Sequence, residues 1–156
     1  MTRWISCFAA MLMSLMSVCA AAAGPVLTVE APGGVITFDM ANLRELPSVT
    51  FETETIWTDG LQTFTGVPLA ALTQHLGVGS GWFEAMAINA YVVDIPVSDA
   101  VPGGPVIAYE RNGAVMSVRD KGPLWIVYPY DSNPDYQTEE IYARSIWQLE
   151  KITVKP

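Results

Sequence analysis

Leu61-Gln62-Thr63-Phe64-Thr65-Gly66-Val67-Pro68-Leu69-Ala70-Ala71-Leu72-Thr73-Gln74-His75-Leu76-Gly77 reads as a strand that passes directly into a helix. Leu61 to Val67 carries β-branched and aromatic residues, and Pro68 stands where a first helical residue belongs. Leu69, Leu72 and Leu76 recur at helical spacing, and Gly77 follows as a C-terminal cap. His75 falls in the last turn, where the negative helix end favours an imidazolium. A single histidine without partners reads as local chemistry. Upstream, Val49 to Trp57 is a strand turned back by Thr58-Asp59-Gly60. Its parity puts Val49, Phe51, Thr53, Thr55 and Trp57 on one face and Glu52 and Glu54 in water. The threonines suit a strand as β-branched residues, or they mark an apolar face turning polar where it meets a site.

The rest of the chain is built mainly from strands. Val26 to Glu30, the turn Ala31-Pro32-Gly33-Gly34 and Val35 to Phe38 form a hairpin. Asp39 caps a short helix that Pro47 stops. Phe83 to Ile88 and Tyr91 to Ile95 are two strands or one bent strand. Pro105 to Tyr109 is joined to Val115 to Val118 through the hairpin signal Arg111-Asn112-Gly113. Leu124 to Tyr128 is apolar without alternation, the mark of a strand covered on both sides. Pro129 to Thr138 is loop, Glu139 to Arg144 a helical turn begun by Thr138, and Trp147 to Val154 a last strand. The sum is an α+β, largely β domain.

Of 156 residues, 16 are acidic and 8 basic, a net charge of −8 that repels polyphosphate and excludes nucleic acid as a partner. Arg3, the uncharged stretch Trp4 to Val18 and the small residues Ala20 to Ala23 have the layout of a signal peptide. Residues 1–23 are therefore expected to be removed. That leaves 24–156 as one periplasmic domain with no stable membrane span after cleavage. Both cysteines, Cys7 and Cys19, lie in the leader, so the remaining domain has no thiol for a disulfide or a thiolate metal ligand.

Several matched positions together resemble a family. They are Phe64-Thr65-Gly66-Val67-Pro68-Leu69 with Leu72 and Gly77, Asn89-Ala90-Tyr91 through Ile95-Pro96, and Ala108-Tyr109 with Asn112-Gly113. Gly122-Pro123-Leu124 with Val127-Tyr128-Pro129 and the strand from Leu149 to Val154 complete the set. In order and spacing, over Val49 to Val154, they resemble the oxidoreductase molybdopterin-binding domain, the cofactor domain of the sulfite oxidase family. The resemblance implies a compact fold of that type and molybdopterin as cofactor. It also implies a cysteine ligand to molybdenum just before the Gly-Val-Pro-Leu helix start, where this chain offers Thr53, Glu54, Thr55 and Trp57. An alcohol is a poor substitute for a soft thiolate, so no metal ligand is assigned.

Three functions follow as expectations, the blandest being a scaffold whose only role is a protein interface, with no pocket chemistry. The first is an exported, non-catalytic module that binds a pterin-like or other small anion, or a periplasmic partner protein in a sensory or redox assembly. The second is a molybdopterin-dependent oxidoreductase with non-cysteine ligation, the metal lying near Thr53 or Thr55. Arg111, Arg119 and Lys121, with Arg144 further on, are candidates for an anion pocket, Arg119 and Lys121 foremost because they flank Gly122. A solvated hairpin surface is the alternative. Asn89 and Tyr91 are candidate ligand contacts, or a turn former and a half-buried ring. Asp131, Asn133 and Asp135 imitate the start of a calcium loop that fails at Tyr136 and Tyr142. Of the aromatics Trp125, Tyr128, Tyr130, Tyr136, Tyr142 and Trp147, most are expected in the core, with Tyr130 and Tyr136 as a contact surface.

Overall fold

The computed structural model describes residues 24–156; the expected leader, with Cys7 and Cys19, lies outside the described residues. The strands are β1 (Leu27–Ala31), β2 (Gly34–Phe38), β3 (Val49–Glu54), β4 (Leu61–Pro68), β5 (Trp82–Ala87), β6 (Val92–Pro96), β7 (Val106–Arg111), β8 (Ala114–Val115), β9 (Trp125–Val127) and β10 (Leu149–Lys155). The helices are α1 (Met40–Glu45), α2 (Leu69–Leu76) and α3 (Glu139–Arg144). The α+β, largely β class expected from the sequence is the class observed. Among the described residues no helix is long and apolar enough to cross a membrane.

Two five-stranded sheets share one core. The first runs β2-β1-β10-β5-β6, with β10 parallel to β1 and antiparallel to β5. The last strand of the chain thus closes against the first. In the second sheet β3 pairs β4 and β4 pairs one edge of β7. The other edge of β7 carries β9 along Val106 to Ala108 and the short β8 at Glu110 and Arg111. Leu27, Val29, Phe83, Ile95 and Ile152 from the first sheet and Phe64, Val67, Ile107 and Trp125 from the second are all buried in that core. Backbone bonds from Ile126 N to Ile146 O (2.9 Å) and from Leu149 N to Leu124 O (3.0 Å) seam the sheets together.

Local signals explain most element ends. Asp39 accepts from Asn42 N at 2.7 Å, and Thr138 accepts from Ile141 N at 3.3 Å, so both short helices have side-chain N-caps. Gly77 closes α2 in the left-handed conformation with φ 66°. Pro68 is the cap residue and still pairs Val106, so the helix begins at Leu69, one residue later than its sequence suggests. A Cβ on Gly66 would overlap Ile107 O, and one on Gly122 would overlap Met116 O, so backbone packing leaves room for no side chain at either position.

Of the two readings left open for Phe83 to Ile95, two strands is the one observed: β5 and β6 form a hairpin. Other expectations need correction. The strand expected over Val115 to Val118 ends at Val115, and a 3-10 turn over Val118–Asp120 follows. Tyr130 is 2% exposed and belongs to the core, so it forms no contact surface. Its hydroxyl has an internal partner, which removes the penalty that keeps phenols at surfaces.

Candidate functional site

A cavity of about 490 Å³ opens where three distant segments meet. Ile56 and Trp57 come from the turn after β3, and Ala87, Asn89 and Tyr91 from the end of β5 and the turn that follows. Tyr142, Ala143, Ser145, Ile146 and Trp147 come from α3 and the segment leading to β10. Its size falls within the range of small-molecule sites, and its lining is largely apolar, with the rings of Trp57, Tyr91, Tyr142 and Trp147 in it.

Each wall is held by its own short-range chemistry. Thr55 Oγ1 accepts from Trp57 N at 3.2 Å and bonds Thr58 Oγ1 at 2.7 Å, so the turn folds Trp57 back toward the sheet. The Trp57 ring then meets Trp147 at 5.5 Å, Tyr142 at 5.7 Å and Trp125 at 5.9 Å, each edge to face. Asn89 Oδ1 accepts from Tyr91 N at 3.2 Å, and Ala90 between them takes a left-handed φ of 64°. Ile88 N donates to Gln148 O at 2.9 Å, which ties this turn to the segment carrying Trp147.

The third wall rests on a polar network that runs from the partly buried Asp99 and Arg144 to the buried Ser145. Asp99 Oδ2 accepts from the Tyr128 hydroxyl at 2.7 Å and from Arg144 Nη1 at 3.0 Å, while Arg144 also pairs with Glu140. The Tyr130 hydroxyl donates to Ser145 Oγ at 2.6 Å, and Ser145 Oγ donates to Ile141 O at 2.8 Å. Burial first, and for Tyr128 the neighbouring Asp99 carboxylate next, push both phenols well above the ordinary tyrosine range. These hydroxyls hold α3 in place and do not titrate near neutral pH.

Of the eight residues singled out from the sequence, only Asn89 and Tyr91 line the cavity. Thr53 is fully buried: its hydroxyl donates to Asp131 Oδ2 at 3.1 Å and accepts from Asp131 N at 3.2 Å. Asp131 Oδ2 also accepts from Glu54 N at 2.7 Å, so the carboxylate that imitated a calcium ligand staples β3 to the loop before α3. Thr55 is spent on its own turn. The four cations do not line the cavity. Arg144 is paired with two carboxylates, Arg111 ends β7, and Arg119 lies exposed on a 3-10 turn. Lys121 Nζ lies over the Trp147 ring at 4.6 Å and the Trp125 ring at 5.7 Å, a cation-π contact against a ring of the cavity wall. His75 is exposed and its ring stands 6.0 Å from Phe38, with no ionisable partner among the described residues.

The sequence alone does not mark Trp57, Tyr142 and Trp147 as site residues. Trp57 shares a strand face with Thr53 and Thr55, and the dense aromatics of the last third include the other two. The signal was present, but nothing local tells a wall ring from a core ring.

The donors among the described residues do not fit a molybdenum centre. Residues 24–156 contain no cysteine, both nearby threonine hydroxyls are committed, and no group of three His, Cys, Asp or Glu that could hold a metal occurs among the described residues. No protein-family model and no curated protein matches this chain. Among solved structures it is similar to the sulfane dehydrogenase SoxCD from Paracoccus pantotrophus, at 16% identity and a TM-score of 0.61. The match covers 82% of this chain and 37% of that one. At this identity the likeness speaks to fold alone, and it agrees with the α+β, largely β class expected from the sequence.

Proposed function

We propose that this protein is an exported, non-catalytic binding module on a molybdopterin-type fold, holding a small ligand in the cavity between Trp57, Asn89, Tyr91, Tyr142 and Trp147. One observation carries the reading: the family-like framework encloses an aromatic cavity whose lining offers neither thiolate, imidazole nor carboxylate. Such a wall stacks on a ring and leaves a metal without donors. The neighbour in fold is a dehydrogenase, which favours a redox or sensory assembly as the setting. Among the ligands expected from the sequence, a flat pterin-like ring suits this lining better than a compact anion, because no cation lines the cavity among the described residues.

The rival reading, an oxidoreductase whose metal is held by oxygen, has less support. Thr53 and Thr55 would have to abandon Asp131 and Thr58 to approach a metal. The test is native mass spectrometry and elemental analysis of protein isolated from the periplasmic fraction of its own cells. The expected result is an organic mass released on denaturation and no molybdenum. Stoichiometric molybdenum, with an oxidation activity lost in Thr55→Ala, would overturn the proposal.

A further inference from the structure

We infer that the cavity takes an uncharged, flat, carbonyl-bearing ring of the quinone class, stacked on the Trp57, Tyr142 and Trp147 walls and read by the amide nitrogen of Asn89. This rests on the binding-module reading and deepens it by naming the ligand's chemistry.

Charge is the first argument. Among the described residues, no ionised side chain lines the cavity. Arg144 is spent on Asp99 and Glu140, and the Lys121 ammonium lies on the Trp147 and Trp125 rings. A phosphate or sulfonate entering here would lose water without gaining a counter-ion, which penalises it steeply against a neutral ring. Indole and phenol rings are electron-rich, and a ring depleted by carbonyls stacks on them with favourable electrostatics.

The unspent polar groups point the same way. Ser145 Oγ already accepts one hydrogen bond and donates another, so it has no proton left for a ligand. Asn89 is different. Its Oδ1 is held by Tyr91 N, which fixes the amide orientation, and its Nδ2 has no protein partner among the described residues. An amide NH₂ only donates, so the complementary ligand atom is an acceptor such as a carbonyl oxygen.

Backbone conformation adds an independent observation. Four non-glycine residues among those described have positive φ, and three of them adjoin this wall. Ala90 (64°) lies between Asn89 and Tyr91, Gln148 (53°) follows Trp147, and Lys121 (73°) is the residue stacked on Trp147. Left-handed backbone is costly for residues with a Cβ and gathers where surroundings enforce a functional geometry.

The test is calorimetric titration of the leader-free chain with a matched pair of probes, 1,4-naphthoquinone and 1,4-naphthoquinone-2-sulfonate. The neutral quinone is expected to bind saturably and the sulfonate about tenfold more weakly or worse. Asn89→Asp keeps the oxygen that accepts from Tyr91 N and removes both donors. It is expected to weaken the quinone about tenfold while the unfolding midpoint stays in place. Sulfonate binding as tight as the quinone, or an unaffected Asn89→Asp, overturns the uncharged-ring inference and leaves the module reading intact. Binding of neither probe, together with a native protein that releases no organic mass, sinks both.

Discussion

Trp125 and Trp57 have ring centroids 5.9 Å apart and belong to different kinds of structure. Around Trp125 everything polar is answered from within: its indole N–H donates to Ser145 O at 3.2 Å, and the hydroxyls of Tyr128 and Tyr130 reach Asp99 and Ser145. Around Trp57 the same residue types leave groups open. Asn89 Nδ2 and the Tyr91 hydroxyl have no partner among the described residues, and Tyr91 is 50% exposed. No buried side-chain nitrogen or oxygen lacks a hydrogen bond among the described residues, so the open groups sit where solvent or a ligand reaches them. Aromatic density therefore does not mark a site in this protein. Unanswered polarity on a concave aromatic wall does.

Mutation can break that contrast, beginning with the largest effect. Trp125→Ala empties a fully buried position and orphans Ser145 O, and should cost about 3–5 kcal/mol in urea unfolding. Trp57→Ala, at a half-buried wall, should cost about 1–2 kcal/mol and abolish ligand release from the native protein. Equal losses of stability would show that the two rings form one core.

Tyr128→Phe should cost about 1–2 kcal/mol, because Asp99 keeps Arg144 but loses a hydroxyl donor inside the fold. It also carries a pH signature. Burial and Asp99 raise the folded phenol above its ordinary value of 10, so the folded state retains a proton that the unfolded chain sheds. The associated stability is complete below about pH 10 and is lost as pH rises beyond it. Chemical unfolding from pH 8 to pH 11 should show a shallower alkaline decline in Tyr128→Phe than in the wild type.

Thr53→Val sharpens the contrast within one strand. It removes the hydroxyl that both donates to and accepts from Asp131, should cost about 1 kcal/mol, and should leave ligand binding unchanged, because Thr53 does not line the cavity. The smallest expected effect on stability is that of Asn89→Asp, within about 0.5 kcal/mol at an exposed turn.

Local sequence signals located most elements because their causes lie within a few residues. Asp39 and Thr138 cap the helices they precede, Gly77 ends α2, and strand parity sends Thr53 inward and Glu52 outward, all from chemistry confined to a turn or a pleat. The apolar run Leu124 to Tyr128 likewise announced a strand buried on both sides, and β9 is fully buried. The cations were harder. Arg111, Arg119 and Lys121 crowd one stretch of sequence, yet nearness along a hairpin does not make side chains converge, and Arg144 is claimed by Asp99, 45 residues away.

The sequence by itself determined the α+β class, the caps, the faces of the strands and the absence of a thiol from residues 24–156. Only the tertiary structure decided that β10 pairs in parallel with β1, that Asp131 answers Thr53 across the loop, and which rings became wall and which core. The reason is physical. Helix ends and strand parity follow from interactions across a few bonds, whereas a cavity is a space left where the turn after β3, the turn after β5 and the end of α3 come together, and no single segment encodes a space shared by three.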